Sequence, residues 1–236
     1  PKPMVAIGDR PILWHIMKHY AAHGLNEFYL ALGYKGHVIK RYFLDEVQLT
    51  GDLTVETANG HVAARRNESD NWRVHLCDTG LDTSTAGRLK RLAPHLRGGT
   101  FVLTYGDGVS NVPVDRLLAF HRKHGRLATV TAVRPPARFG GLTFDGDLVK
   151  IFVEKPQIGE GWINGGFLVF EPAVLDMIEG DTASLESQLL EHLAGQGQLA
   201  AYRHDGFWQC MDTVRDLRLL QSLWDGGEPP WRTWNV

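Results

Sequence analysis

Apolar and polar positions along this chain follow two alternating periods. Short apolar runs closed by glycine, proline or aspartate read as strands at residues 27–32, 53–57, 72–78, 101–105, 127–133, 149–153, 167–170 and 199–203. Between them the spacing turns helical. Ile12, Leu13, Ile16, Met17 and Tyr20 recur on one face, with Asp9 as the expected cap, Pro11 in the first turn and Gly24 as the stop. Further helices are expected at 36–44, 114–124, 183–193 and from the 207–213 segment through Leu223. The first half thus alternates strand and helix, which predicts a parallel α/β sheet covered by helices on both faces. The polar stretch carrying Arg65 and Arg66 reads as an excursion from that sheet, and Phe101–Leu103 as one of its buried strands.

Composition narrows the class without naming an activity. The 236 residues are 43% hydrophobic and 22% charged, an ordinary globular balance read as one domain over residues 1–236. A net charge of −2 gives no support to binding a nucleic-acid polymer. Cys77 and Cys210 are the only cysteines and form no paired motif, which argues against a disulfide scaffold or a cysteine-rich zinc site. No apolar run reaches membrane-spanning length, so cytoplasm is the default expectation.

The polar residues at element boundaries carry the chemistry. Asp107 follows an apolar strand and stands between Gly106 and Gly108, where a phosphate can approach the backbone; an Asp-Gly turn is the competing reading. Lys2 is held between two prolines, aimed at a phosphate or merely solvated at a terminus. Residues 78–87 are rich in Thr, Ser, Asp and Gly and lead into a basic helix with Arg88, Lys90 and Arg91, either a phosphate cradle or a capped surface helix. Glu154 and Lys155 precede a proline, and Asn164 precedes Gly165 and Gly166. Asp212 is a second carboxylate at a strand-to-helix junction, or that helix's cap. His15, His19 and His23 share a helix face without an acidic or cysteine ligand nearby in sequence, which favours packing over metal. The aromatic tail, residues 229–234, looks exposed and suited to packing on its own chain or on another subunit.

These groups fit together. Lys2, Arg88 and Lys155 supply cations, Asp107 and Asp212 carboxylates, and Glu154 and Asn164 partners for hydroxyls. Two carboxylates without histidine or cysteine suit a hard cation such as Mg²⁺, and cations around it suit a phosphate-rich substrate. No nucleophile stands beside a base, so phosphoryl transfer by positioning and charge neutralisation is the natural chemistry.

In PKPM at the start, GDRPILWHIMK from Gly8, GYKG from Gly33, the segment 78–91, TYGDG from Thr104, EKP from Glu154, INGGF from Ile163, FWQCMDT from Phe207 and PWRTW from Pro230, the chain resembles the sugar-1-phosphate nucleotidyltransferases. The polar insertion near 65–72 and the tryptophan-rich tail resemble its cytidylyl branch. That resemblance implies a Rossmann-like, mixed but mainly parallel sheet flanked by helices, with small β excursions and a C-terminal helical tail. It implies CTP and glucose 1-phosphate as substrates, Mg²⁺ as cofactor and a homo-oligomer. Lys2, Arg88 and Asp107 would be catalytic, and Asp107 and Asp212 would hold the metal. Thr83, Arg88, Gly106, Asp107 and Gly108 would face the nucleotide, while Glu154, Lys155, Asn164 and Gly165 would line the sugar-phosphate pocket. Alternatives are a sister enzyme with another nucleotide or sugar, a non-catalytic binding domain, or a metal-using glycosyltransferase. The family opens with a strand and a glycine-rich loop just before PKP, and Pro1 is the first residue here. The native protein is therefore expected to be longer, and these residues alone to lack useful CTP affinity, with two unpaired sheet edges.

Overall fold

The computed structural model describes residues 1–49, 51–65, 70–135, 141–145, 148–153 and 161–234. Arg66, Glu154 and Lys155 lie outside the described residues. Strands β1 (Ala6–Ile7) and β2 (Arg10–Pro11) pair around a turn and lead into helix α1 (Ile12–Ala22). Then come β3 (Glu27–Leu32), α2 (Gly36–Leu49), β4 (Asp52–Glu56), β5 (His61–Arg65), β6 (Arg73–Asp78), α3 (Thr85–Arg91) and α4 (Ala93–Leu96). The middle holds β7 (Phe101–Leu103), β8 (Gly108–Ser110), α5 (Val114–His124), β9 (Ala128–Val133), β10 (Gly141–Asp145) and β11 (Leu148–Val153). Strand β12 (Ile163–Phe170) follows, and later a π-helical turn, Leu185–Leu190, that continues into α6 (Glu191–Gly195). Strands β13 (Leu199–His204) and β14 (Trp208–Cys210) and helix α7 (Val214–Asp225) complete the order.

The main sheet has the order β13-β9-β12-β7. β13 runs parallel to β9, while β12 is antiparallel to both β9 and β7, so one reversed strand sits inside an otherwise parallel set. β12 is apolar because both its faces are covered. Leu168 and Phe170 pack into a core with α3, α6 and the π-helical turn; Phe167 and Val169 face the opposite way, into a core with α1, α5 and α7. Helices therefore cover both sides, as the alternation predicts. β3 and β6 form a separate parallel pair, and the β4–β5 hairpin stands apart from both sheets as an exposed excursion. No helix among the described residues is long and apolar enough to cross a membrane.

Three expectations change. Phe101–Leu103 is half-buried rather than buried, because β7 is an edge strand: among the described residues it pairs with β12 alone, as β3 does with β6. Asp9 does not cap α1. The helix starts at Ile12 with Pro11 in the cap position and no side-chain cap bond, because Asp9 is taken up by the β1–β2 turn and Arg10 by β2. The aromatic tail is not exposed: Trp231 is fully buried, stacks on Phe207, and donates its indole N–H to His15 Nδ1 at 3.4 Å. His15 and His19 accordingly clamp the tail, with His19 Nδ1 2.8 Å from the Thr233 hydroxyl. The described residues contain no group of three or more histidine, cysteine or acidic ligands.

Candidate active site

Asp107 and Asp212 are distant in sequence and adjacent in space because β8 and β14 pair antiparallel. Gly108 opposes Cys210 at the end of that ladder, so the residue entering β8 and the residues leaving β14 emerge at the same end. Asp212 is not the cap of α7. Thr213 takes that role, in a reciprocal capping box with Asp216, which leaves the Asp212 carboxylate to the site.

Lys2 reaches this pair from a single 3₁₀ turn, Lys2–Met4, started between two prolines and closed by Met4 N–H donating to the Pro1 carbonyl at 2.9 Å. Its ammonium lies 2.8 Å from Asp212 Oδ1 and 3.6 Å from Asp107 Oδ2. The hydrogen bond to Asp212 is the largest influence holding Lys2 above the ordinary lysine range. Burial pushes Asp107 up, the like charge of Asp212 adds to this, and Lys2 opposes it. Two carboxylates side by side, the like charge of Asp212 raising Asp107, offer hard oxygen donors that fit a divalent cation of the Mg²⁺ type.

A cavity of about 580 Å³ opens beside this cluster, walled by Pro3, Tyr105, Asp107, Gly165, Trp208 and Asp212 among others. Gly106 and Gly108 also line it. The glycines have steric reasons. A Cβ on Gly106 would lie 2.8 Å from the Pro3 ring, and one on Gly165 would lie 2.7 Å from Val133 and 3.0 Å from the Thr131 carbonyl. Trp208 donates its indole N–H to the Gly165 carbonyl at 2.7 Å, fixing one wall. Asn164 donates to the Tyr105 hydroxyl at 3.2 Å and accepts from Gly166 N–H at 2.9 Å, while Tyr105 donates to Glu186 at 2.6 Å.

The structure does not bring every candidate into that cavity wall: Asn164 touches it through Tyr105, Lys2 through the two carboxylates, and Thr83 and Arg88 stand apart in a neighbouring loop. Arg88 holds the neighbouring loop together, donating to the Thr79 hydroxyl at 2.7 Å and to the carbonyls of Gly80 and Leu81 at 2.9 and 3.2 Å. It lies so close over Gly33 that a Cβ there would come within 2.5 Å of its guanidinium. Thr83 is buried in the same loop. Tyr105 and Trp208 line the cavity and were missed by sequence reasoning, as was Glu186, which accepts the Tyr105 hydroxyl from behind that wall. Tyr105 and Trp208 lie within the TYGDG and FWQCMDT segments, whereas no local signal marks Glu186.

The chain matches the nucleotidyl transferase family over residues 1–224. It is 46% identical over 235 residues to a glucose-1-phosphate cytidylyltransferase from Salmonella typhi, covering 99% of this chain and 91% of that one. It is 42% identical to a probable glucose-1-phosphate cytidylyltransferase from Bacillus subtilis, covering 99% and 92%. Among solved structures it is similar in fold to HddC from Yersinia pseudotuberculosis, with a TM-score of 0.68 at 20% identity over 95% of this chain and 90% of that one. A lysine closing on paired carboxylates beside a glycine-lined cavity, in a chain this similar to these relatives over nearly its whole length, fixes its kinship: the chain belongs to the nucleotidyl transferase family.

Proposed function

We propose that the protein transfers the cytidylyl group of CTP to glucose 1-phosphate, giving CDP-glucose and pyrophosphate. The observation that carries this reading is the Lys2–Asp107–Asp212 cluster at the cavity, in a chain whose relatives carry that activity in their names. A phosphate oxygen of the sugar phosphate attacks the α-phosphorus in line. The new P–O bond forms as the bond to the β-phosphate oxygen breaks, and pyrophosphate leaves with both electrons of that bond. No covalent enzyme intermediate is required.

Each residue then has a physical task. The Lys2 ammonium, kept on a stiff proline-flanked turn, offsets phosphate charge that builds up in the transition state. Asp107 and Asp212 would hold Mg²⁺, which when bound supplies further charge neutralisation on the phosphates. Gly106 and Gly108 leave the backbone open to a bulky ligand. Asn164 and Gly165 present amide and backbone groups to sugar hydroxyls, and Thr83 and Arg88 shape the loop offered to the nucleotide. The reading is tested by supplying the full-length protein with glucose 1-phosphate and each nucleoside triphosphate, measuring pyrophosphate and identifying the product by mass. CTP should exceed the others by about tenfold or more in kcat/KM, the scale of one well-made polar contact. A preference for dTTP, UTP or GTP would sink it.

A further inference from the structure

Glu186 occupies the second position of the π-helical turn, outside every motif that marks the family resemblance. Both of its oxygens are engaged. Oε1 accepts the Tyr105 hydroxyl at 2.6 Å, and Oε2 accepts the hydroxyls of Thr85 at 3.0 Å and Ser184 at 3.2 Å. These partners come from different parts of the fold. Tyr105 is in the cavity wall, Thr85 opens α3, and Ser184 caps the turn that bears Glu186. π-Helical turns recur at functional sites, and this one presents a carboxylate to a wall of the cavity.

The direction of the hydrogen bonds matters more than their number. An ionised carboxylate only accepts. Burial works against ionisation of Glu186, but the bonds from Tyr105, Thr85 and Ser184 outweigh it and hold the group below the usual carboxylate range. The Tyr105 proton is therefore committed to Glu186, and the phenol oxygen is left to accept from Asn164 Nδ2. The other end of the same amide is fixed by Gly166 N–H donating to Oδ1. Neither end can flip without breaking a bond. One N–H and one lone pair of the amide remain, a donor and an acceptor together, suited to sugar hydroxyls rather than to a bare phosphate.

We infer that Glu186 is a positioning residue for the sugar-binding side of the site: through Tyr105 it fixes the orientation of the Asn164 amide that reads the hydroxyls of the substrate. The inference rests on the cytidylyl reading given above. Although its carboxylate is partly desolvated, Glu186 as a whole faces solvent and belongs to no core cluster, so removing it leaves the core intact.

Binding separates the sugar contribution from everything else. In the full-length protein, calorimetry with CDP and with CDP-glucose gives two affinities whose ratio isolates the sugar. Glu186→Ala and Tyr105→Phe should each lower that ratio about tenfold, the worth of one ordered hydrogen-bond path, while CDP affinity holds within about twofold. The double variant should be no worse than the worse single variant, since both interrupt one path. Glu186→Gln should fall between, because its amide can donate as well as accept and so permits the reversed relay. In kinetics the rise belongs to KM for glucose 1-phosphate, not to kcat or to KM for CTP. An unchanged ratio in Glu186→Ala, additive losses in the double variant, or equal losses for both ligands would each overturn the inference. Should Glu186→Ala fail to fold, Tyr105→Phe decides alone, since it leaves the turn untouched. A wild type that binds neither ligand refutes the cytidylyl reading instead, which keeps the two failures apart.

Discussion

Met211 donates its backbone N–H to the Asp107 carbonyl at 2.7 Å, and that bond draws together the two turns that carry the site's carboxylates. The backbone thus holds the two turns together without help from either carboxylate, so either side chain can be changed without pulling the turns apart. Asp107→Asn should lower turnover by about a hundredfold to a thousandfold, the range seen when one preorganised electrostatic group is removed. The unfolding midpoint should stay unchanged or rise slightly, since burial and Asp212 already strain the charged form of Asp107. Steady-state kinetics with thermal unfolding on the same sample checks both. Chelation by EDTA should abolish wild-type turnover, with Mg²⁺ restoring it.

Gly106→Ala tests whether the Lys2 turn is held by contact. The added methyl would lie 2.8 Å from Pro3 Cγ, so the turn must retreat by tenths of an ångström. A displacement of that size at a reacting group should lower kcat about tenfold with little change in stability. A normal kcat would show that Lys2 is placed by something other than Pro3.

Gly33→Ala probes Arg88. A methyl within 2.5 Å of the guanidinium forces it to shift against its bonds to Thr79, Gly80 and Leu81. Loss of that loop geometry should raise KM for CTP by more than tenfold, on the order of the 1.5–3 kcal/mol carried by charge-assisted hydrogen bonds, and leave KM for glucose 1-phosphate near normal. An effect on the sugar substrate alone would contradict a nucleotide-side role for this loop.

His19 predicts a pH dependence of stability. Burial, with His23 adding to it, lowers its pKa from 6.5 to about 4. The folded state favours the neutral ring, so its contribution is fully present above the unfolded pKa and is lost as pH falls from about 6.5 towards 4. The loss is on the order of 3 kcal/mol. His15, depressed by burial as well, acts in the same direction. Urea unfolding from about pH 7.5 down to about 4.5 should show the decline, and His19→Gln should flatten it.

Trp231→Ala removes a fully buried indole and should cost about 3–5 kcal/mol. The change falls on α1 and α7 together, because Trp231 belongs to the core cluster they share. Urea denaturation gives the value directly, and a cost below about 1 kcal/mol would mean that the tail is not part of that core.

What could be read from sequence was the part governed by local pattern. The Gly106-Asp107-Gly108 turn, the helical face of α1 and the apolar run of β12 each follow from neighbours a few residues away. Where the reading failed, a contact outside the helix or strand period decided. Asp9 looked like a cap until β1 and β2 paired around it, and the tail looked exposed until His15 and Phe207 covered Trp231. Arg88, expected to face the nucleotide, is in addition held by carbonyls close by in the loop and on β3, contacts that its sequence neighbours did not announce. Glu186 left no local trace because its partner Tyr105 is 81 residues away.

Lys2 meets Asp212 across 210 residues of chain, and His15 meets Trp231 across 216. Contacts that close loops of this length form only after the chain between them has been drawn together, since closure entropy must be overcome before they return any stability. The site is therefore completed late, when the sheet and its flanking helices are already in place. Catalysis becomes a reporter of the last stage of folding: on dilution from denaturant, helical circular dichroism should recover before turnover does.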